Sequence, residues 1–400
     1  MAAKEIRLAI IGCGGMAGAH LRGYRAIHEK GLIKFTLTAM CDAARENAEK
    51  FAQEAEAFQG TRPRVFTSLS EMLQAGAPTA ADICTPHWDH HISAVACLQA
   101  GADVMVEKPI GLTVKASKKI IEAAGTNGRI VATAENVRRS LGMRTARWAI
   151  QERGMIGEPR MFFAQAAGYH PSDYTQNPAM QWRIRQETSG AGMVMDSGAH
   201  FVDAIRYLFG DVNRVYGEAR TWSDDFYTTP DGKRVQSDVE DTWTATMQFD
   251  GGLVGVWGWS KALPGRSFRK AIYYGTEGCI EEDEMFHPFQ GDALIVSKDG
   301  KQTSLRELSI EYLLGLSEGE RARLFPGGIR DTVAIECWDF LDAVVNRRAP
   351  EVDGWEGLKA KAISEAILES SRAGRSVTLE EVISGKVDAY QRPLNERWGI

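Results

Sequence analysis

Ile6-Arg7-Leu8-Ala9-Ile10-Ile11-Gly12-Cys13-Gly14-Gly15-Met16-Ala17-Gly18 is the stretch that sets the fold. The apolar run Ile6–Ile11 is of strand type, and Leu21, Tyr24 and Ile27 follow the glycines at helical spacing. Strand, glycine turn and helix, in that order, give Gly12-x-Gly14-x-x-Ala17 a mechanical meaning. Gly12 permits the tight turn, Gly14 lets the backbone approach a pyrophosphate, and Ala17 is small enough for helix and strand to touch. Gly15 and Met16 begin the helix, whose unpaired N–H groups and positive dipole end suit a phosphate. The bland alternative is a glycine-rich turn with no ligand.

Outward from this stretch the pattern repeats. Residues 35–40, 65–66, 81–84, 103–107 and 130–134 read as strands, with helical segments between most of them. That alternation predicts a doubly wound parallel sheet, an α/β Rossmann domain over residues 1–135. In such a sheet, ligands bind at the carboxyl ends of the strands. The second strand ends in Cys41-Asp42, and Asp42 is placed to accept the adenosine ribose hydroxyls. Its charge favours NAD over NADP, although Arg45 nearby keeps NADP possible. Asp42 also suits a helix N-cap. The fourth strand runs into Thr85-Pro86-His87-Trp88-Asp89-His90-His91. This spacing matches no zinc pattern, and a loop facing the nicotinamide or substrate is expected instead of a metal site. In Asp103-Val104-Met105-Val106-Glu107-Lys108-Pro109, proline stops the strand and leaves Lys108 at its carboxyl end.

Residues 136–400 read differently, as a second domain. A polar and aromatic loop contains Tyr169 and His170, and Trp182-Arg183 precedes a glycine-rich entry. A helix is expected over residues 193–209, placing Asp196 and His200 one turn apart on a shared face. A carboxylate beside an imidazole suits acid–base work, and equally suits a buried pair that satisfies itself. Strands then alternate with hairpin turns into an open, mainly antiparallel sheet. Trp243, Trp257 and Trp259 suggest that another subunit covers one face of it, with helices of the same chain as the alternative. Tyr169, His170, Trp182, Arg183 and His90 stand as substrate contacts on loop position alone.

The chain has 400 residues, 44% hydrophobic and 25% charged, enough for two domains with sizeable cores. A net charge of -6 argues against nucleic acid or an anionic membrane as partner. No signal peptide or membrane span is expected, and six scattered cysteines without a Cys-x-x-Cys fit a reduced, cytoplasmic protein.

Four segments together resemble the Gfo/Idh/MocA oxidoreductases, the glucose-fructose oxidoreductase and inositol dehydrogenase relatives. They are Gly12-x-Gly14-x-x-Ala17, Thr85-Pro86-x-x-x-His90, Glu107-Lys108-Pro109 and Gly192-x-x-x-Asp196-x-Gly198-x-His200-x-x-Asp203. The resemblance implies NAD or NADP contacts at Gly12, Gly14, Gly15, Met16, Asp42, Thr85, Pro86, His90, Glu107 and Lys108. It implies hydride exchange with a sugar, anhydrosugar or cyclitol, and a homodimer or homotetramer formed through the open sheet. Lys108, Asp196 and His200 are the expected catalytic set. His200 or Lys108 acts as base, with Asp196 orienting the substrate or His200. Lys108, His170, Trp182, Arg183, Asp196 and His200 line the substrate. A glycoside-cleaving reaction with transient oxidation and a non-catalytic cofactor-binding regulator are the alternatives. His87 and the Ala102-Asp103 pair depart from the family pattern.

Overall fold

The structure is a computed structural model that describes residues 5–170 and 172–400. The chain folds as two compact units. The first takes the described residues up to Leu112, with Ala116–Arg139 and Ser317–Leu358. The second takes Thr113–Lys115, Ser140–Leu316 and Lys359–Ile400. A boundary near residue 135 is expected from the pattern alone. The first unit also gains residues 317–358, which only backbone and side-chain bonding across the fold brings back. Thr133 N–H donates to Val352 O at 2.8 Å, and the buried Arg139 guanidinium meets Asp339 at 3.1 Å.

In the first unit, strands β1 (Ile6–Ile11), β2 (Phe35–Cys41), β3 (Arg64–Phe66), β4 (Ala80–Ile83), β5 (Asp103–Glu107) and β6 (Val131–Ala134) form one sheet. Its order is β3-β2-β1-β4-β5-β6, and all pairs are parallel. Every residue of β4 and β5 is buried, as expected of strands covered on both faces. Helices α1 (Gly15–Glu29), α2 (Arg45–Gln59), α3 (Leu69–Gln74), α4 (His90–Gln99) and α5 (Val114–Asn127) connect them. The strand order reverses between β1 and β4. Sheets of this kind open a ligand crevice at that switch point. Both Gly12, after β1, and Thr85, after β4, lie there.

The second unit holds β7 (Pro159–Ala167), β8 (Val212–Arg220), β9 (Phe226–Thr228), β10 (Arg234–Gln236), β11 (Thr242–Phe249), β12 (Val254–Ser260), β13 (Phe268–Gly275), β14 (Gly278–Glu282), β15 (Leu294–Ser297), β16 (Gln302–Ser304) and β17 (Val377–Thr378). Nine of these make one sheet, β16-β15-β14-β13-β7-β12-β11-β8-β17. Only β7 and β12 pair in parallel; the other neighbours are antiparallel.

The tryptophans correct the expectation drawn from them. Trp243 and Trp257 are buried within the chain, and Phe201 of helix Gly198–Phe209 packs 4.7 Å from Trp257 between ring centroids. They belong to the inner face, covered by the chain's own helix. Met161, Phe163, Tyr216, Phe268 and Tyr274 are exposed large apolar side chains on the strands of the nine-stranded sheet. Along β7 the alternation is plain: Phe162 and Ala164 are buried, Met161 and Phe163 exposed.

Candidate active site

In the first unit the candidate residues lie on the carboxyl edge of the parallel sheet. Gly12 adopts φ +85°, and a Cβ there would meet the Cys84 carbonyl and Thr85 N at 2.8 Å. Only glycine lets the two loops of the switch point touch. Gly14 and Gly15 are exposed, with nothing within 4 Å of where a Cβ would stand. Met16 is 40% exposed beside them. The buried Thr85 hydroxyl has no protein partner among the described residues. An open glycine turn at a helix N-terminus, with an unpaired hydroxyl across from it, fits a dinucleotide pyrophosphate.

Asp42 holds this turn as well as bordering it. Its Oδ2 accepts from Cys13 N–H at 2.7 Å, and its Oδ1 from Ala44 N–H at 2.8 Å and the Asn47 amide at 3.3 Å. Ala44, not Asp42, is the N-cap of α2. A carboxylate so placed can still accept ribose hydroxyls through its remaining lone pairs.

Lys108 follows β5 directly and is half-buried. Its backbone N–H donates to Glu107 Oε2 at 3.0 Å. The Lys108–Pro109 peptide is cis. Glu107 and His90 are expected cofactor contacts, but the protein itself takes up their polar atoms. Glu107 is buried, and its Oε1 lies 3.0 Å from His20 Nε2. His90 is fully buried, with Nδ1 2.9 Å from Pro109 O and Nε2 2.8 Å from Thr85 O. Its ring ties the two edge loops together. Burial pulls its pKa below the ordinary value, so the ring is neutral and donates to one carbonyl at a time.

The second unit carries the remaining residues named from the sequence. Helix Gly198–Phe209 starts five residues later than the expected 193, so Asp196 stands in the turn before it. Asp196 therefore lies outside the helix that carries His200, in a turn that follows the glycine entry. A Cβ on Gly192 would lie 2.2 Å from Glu240 O, and Glu240 accepts from Gly192 N–H at 2.9 Å and Val194 N–H at 3.3 Å. The buried carboxyl of Glu240 thus fixes the glycine entry, and Asp196 N–H turns back to Gly192 O at 3.1 Å. Burial raises the Glu240 pKa to about 7 despite those donors.

Asp196 and His200 are both buried. Asp196 Oδ2 accepts from Arg183 and from the Tyr174 hydroxyl at 3.2 Å. The Arg183 guanidinium lies 4.6 Å over the Trp182 ring and 5.4 Å over Tyr174. Trp182 and Arg183 come from the short helical turn Pro178–Ile184 and are half-buried. His170 and Tyr169 lie exposed at the end of β7, where Tyr169 bridges to Ala262. Asp203 is wholly buried further along the helix. Lys361 Nζ reaches Met195 Sδ at 3.2 Å and pairs with Glu365, both beneath the Asp196 turn.

Residues 6–135 match the oxidoreductase family described as an NAD-binding Rossmann fold, and residues 143–281 match the GFO/IDH/MocA C-terminal domain. The chain belongs to the Gfo/Idh/MocA oxidoreductases. Its N-terminal domain is an NAD-binding Rossmann domain. Among Gfo/Idh/MocA relatives, levoglucosan dehydrogenase of Pseudarthrobacter phenanthrenivorans is 26% identical over 388 residues, covering 92% of this chain and 96% of that one. Myo-inositol 2-dehydrogenase of Thermotoga maritima is 24% identical over 385 residues, covering 94% and 100%. A levoglucosan dehydrogenase structure in complex with NADH and levoglucosan superposes with a TM-score of 0.73 at 22% identity, covering 94% and 100%.

Sequence reasoning names neither Tyr174, Glu240 nor His287 as part of this Gfo/Idh/MocA site. His287, from the segment after β14, sets its ring 4.9 Å from that of His200 at 38°. Its neighbour Phe286 packs against Trp259 at 5.8 Å and Trp243 at 6.4 Å. Nothing in spacing announces these three, because they come from 22, 44 and 87 residues away from Asp196 and His200 along the chain.

Proposed function

We propose that this chain is a cytoplasmic NAD-dependent dehydrogenase that oxidises a secondary hydroxyl of a pyranose, an anhydrosugar or a cyclitol. Bound nicotinamide supplies the hydride acceptor; Gly12, Gly14, Gly15, Met16 and Thr85 would hold the pyrophosphate and Asp42 the ribose. His200 takes the hydroxyl proton, an imidazole being the side chain most often used as a general base. Lys108 donates a hydrogen bond to the same oxygen and stabilises the charge that develops there. Asp196, clamped by Arg183 and Tyr174, orients a second hydroxyl, and the Trp182 ring offers a face for a sugar ring to stack on. His170 borders the substrate from the exposed end of β7.

The observation that supports this reading is the half-buried ammonium of Lys108 at the carboxyl edge of an NAD-binding sheet, its backbone fixed by Glu107. The sugar and cyclitol dehydrogenases among the relatives point to the same substrate class. A homodimer or homotetramer would cover the exposed apolar side chains of the open sheet. No helix among the described residues is long and apolar enough to cross a membrane.

The test is NADH formation with inositols, aldoses, levoglucosan and other anhydrosugars, and glycosides, each with NAD and with NADP. Turnover of one class with NAD supports the reading. Release of an aglycone without net NADH would transfer the weight to transient oxidation. Cofactor binding with no reaction on any of them would favour a regulator.

A further inference from the structure

Beneath the Glu-Lys-Pro segment the first unit buries an imidazole that the proposed chemistry does not use. His20 lies on α1, six residues after Gly14, and is fully buried. Its Nδ1 is 2.8 Å from Asp82 Oδ2 and its Nε2 is 3.0 Å from Glu107 Oε1, with Glu336 Oε1 3.6 Å from Nε2. Asp82 also accepts from the Tyr24 hydroxyl at 3.0 Å. Cys84 Sγ is 3.6 Å from His20 Nδ1, and Cys337 Sγ is 4.0 Å from His20 O. These are the groups that face the ring, from α1, from β4 and its loop, from β5 and from helix Thr332–Asn346.

His20, Asp82 and Cys84 are close enough to hold a cation, their ligand atoms lying within 4.8 Å of one another. The three are bonded to each other, however, and burial holds the Cys84 thiol protonated. The arrangement reads as a closed hydrogen-bond network.

A neutral imidazole has one N–H, and here both ring nitrogens face a carboxylate oxygen. With both carboxyls ionised, both contacts are attractive only when the ring carries two protons. We propose that His20 is a positioning residue: an imidazolium held between Asp82 and Glu107 that fixes the Glu107 carboxylate, whose other oxygen sets the Lys108 backbone. Burial alone would deprotonate the ring, but Asp82 and its other neighbours outweigh it and raise its pKa well above the ordinary value. Burial would likewise protonate Glu107, yet the bond from His20 and its charge hold it below the ordinary carboxylate range. Glu336, pushed well up by burial, stays protonated, so the cluster holds two carboxylates against one imidazolium. The ring thereby joins the helix that opens at the glycine turn to the strand end that carries Lys108.

The inference rests on Lys108 acting on substrate, and the experiment separates the two. The holoenzyme is made as wild type, His20→Gln, Asp82→Asn and Lys108→Met, with NAD affinity measured for each. Asp82 hydrogen-bonds His20, Tyr24 and Cys84, so Asp82→Asn perturbs the ring while leaving the Lys108 and Glu107 side chains in place. Misplacing a reacting group by a fraction of an ångström to one ångström costs on the order of tenfold to a hundredfold in rate. We expect kcat on the first active substrate of the panel to fall by about that much in His20→Gln and less in Asp82→Asn, with KM and NAD affinity within about threefold of wild type. In histidine labelled with nitrogen-15, the ring of wild-type His20, assigned by its loss in His20→Gln, should keep both protons through neutral pH. The same spectra on Asp82→Asn decide the protonation state should His20→Gln not fold. A singly protonated wild-type ring overturns the proposal. So does unchanged kcat in His20→Gln and Asp82→Asn where Lys108→Met is inactive. An active Lys108→Met would instead remove the assignment of Lys108, with the protonation result standing on its own.

Discussion

At the scale of single residues, Asp42 does two jobs with one carboxylate. It accepts the Cys13 amide of the glycine turn and borders the place of a ribose. Asp42→Ala should therefore weaken NAD binding more than NADP binding in equilibrium titrations, because a 2′-phosphate gains from losing the like charge. Equal losses would leave Asp42 as a support of the turn alone. Lys108→Met and His200→Ala should each lower turnover by about 10²–10⁴ with NAD affinity kept, the range for loss of a positioned acid–base group. Two variants with near-normal turnover would refute the assignment. Arg183→Lys should raise KM more than it lowers kcat. Lysine cannot bond Asp196 while lying flat on Trp182, so the loss falls on substrate orientation. A pure kcat defect would instead place Arg183 at the reacting bond.

At the scale of elements, the segment between β14 and β15 owes its path to one buried carboxyl. Glu282 Oε2 accepts from Phe289 N–H at 2.6 Å, and the Tyr273 hydroxyl lies 3.4 Å from its other oxygen. Phe289 sits at φ +57°, uncommon for a bulky residue, with its buried ring 5.7 Å from that of Tyr273. The same segment delivers His287 to His200. Burial raises the Glu282 pKa from 4.5 to about 8. The folded state then holds a proton that the unfolded chain releases above 4.5. Its contribution is complete below that pH and is lost as pH rises through about 8. Thermal unfolding of wild type should show Tm falling across this window, and Glu282→Gln should flatten that fall. An unchanged slope would mean that Glu282 titrates normally. Helix Gly198–Phe209 shows the same principle in reverse. Its expected pattern extends back to residue 193, yet the helix opens at Gly198, after a turn in which Glu240 accepts the amides of Gly192 and Val194.

At the scale of the whole molecule, the outer face of the nine-stranded sheet presents Met161, Phe163, Tyr216 and Tyr274 to solvent within one chain. Side chains of this size grouped on one face are what a subunit contact would cover. Phe163→Glu combined with Tyr274→Glu should lower the mass measured by light scattering after size-exclusion chromatography. The mass of a single chain for wild type would remove the proposed assembly.

The six strands of the parallel sheet, the glycine turn, Lys108 at its strand end and the open mainly antiparallel sheet were legible in the sequence, since each is written in local spacing. Period-two and period-3.6 patterns, a proline and a run of glycines act within a few residues of where they stand. What the tertiary structure decided is whatever depends on partners far apart in the chain. Residues 317–358 rejoin the first unit because Thr133 and Arg139 find partners there. Trp243 and Trp257 turn inward because helix Gly198–Phe209 covers them. Asp196 falls in the turn before its expected helix, where Glu240 holds the Gly192 and Val194 amides, and His20 becomes a cation only where Asp82 and Glu107 converge on it. A buried polar group takes its state from what surrounds it, and the surroundings exist only once the chain has folded.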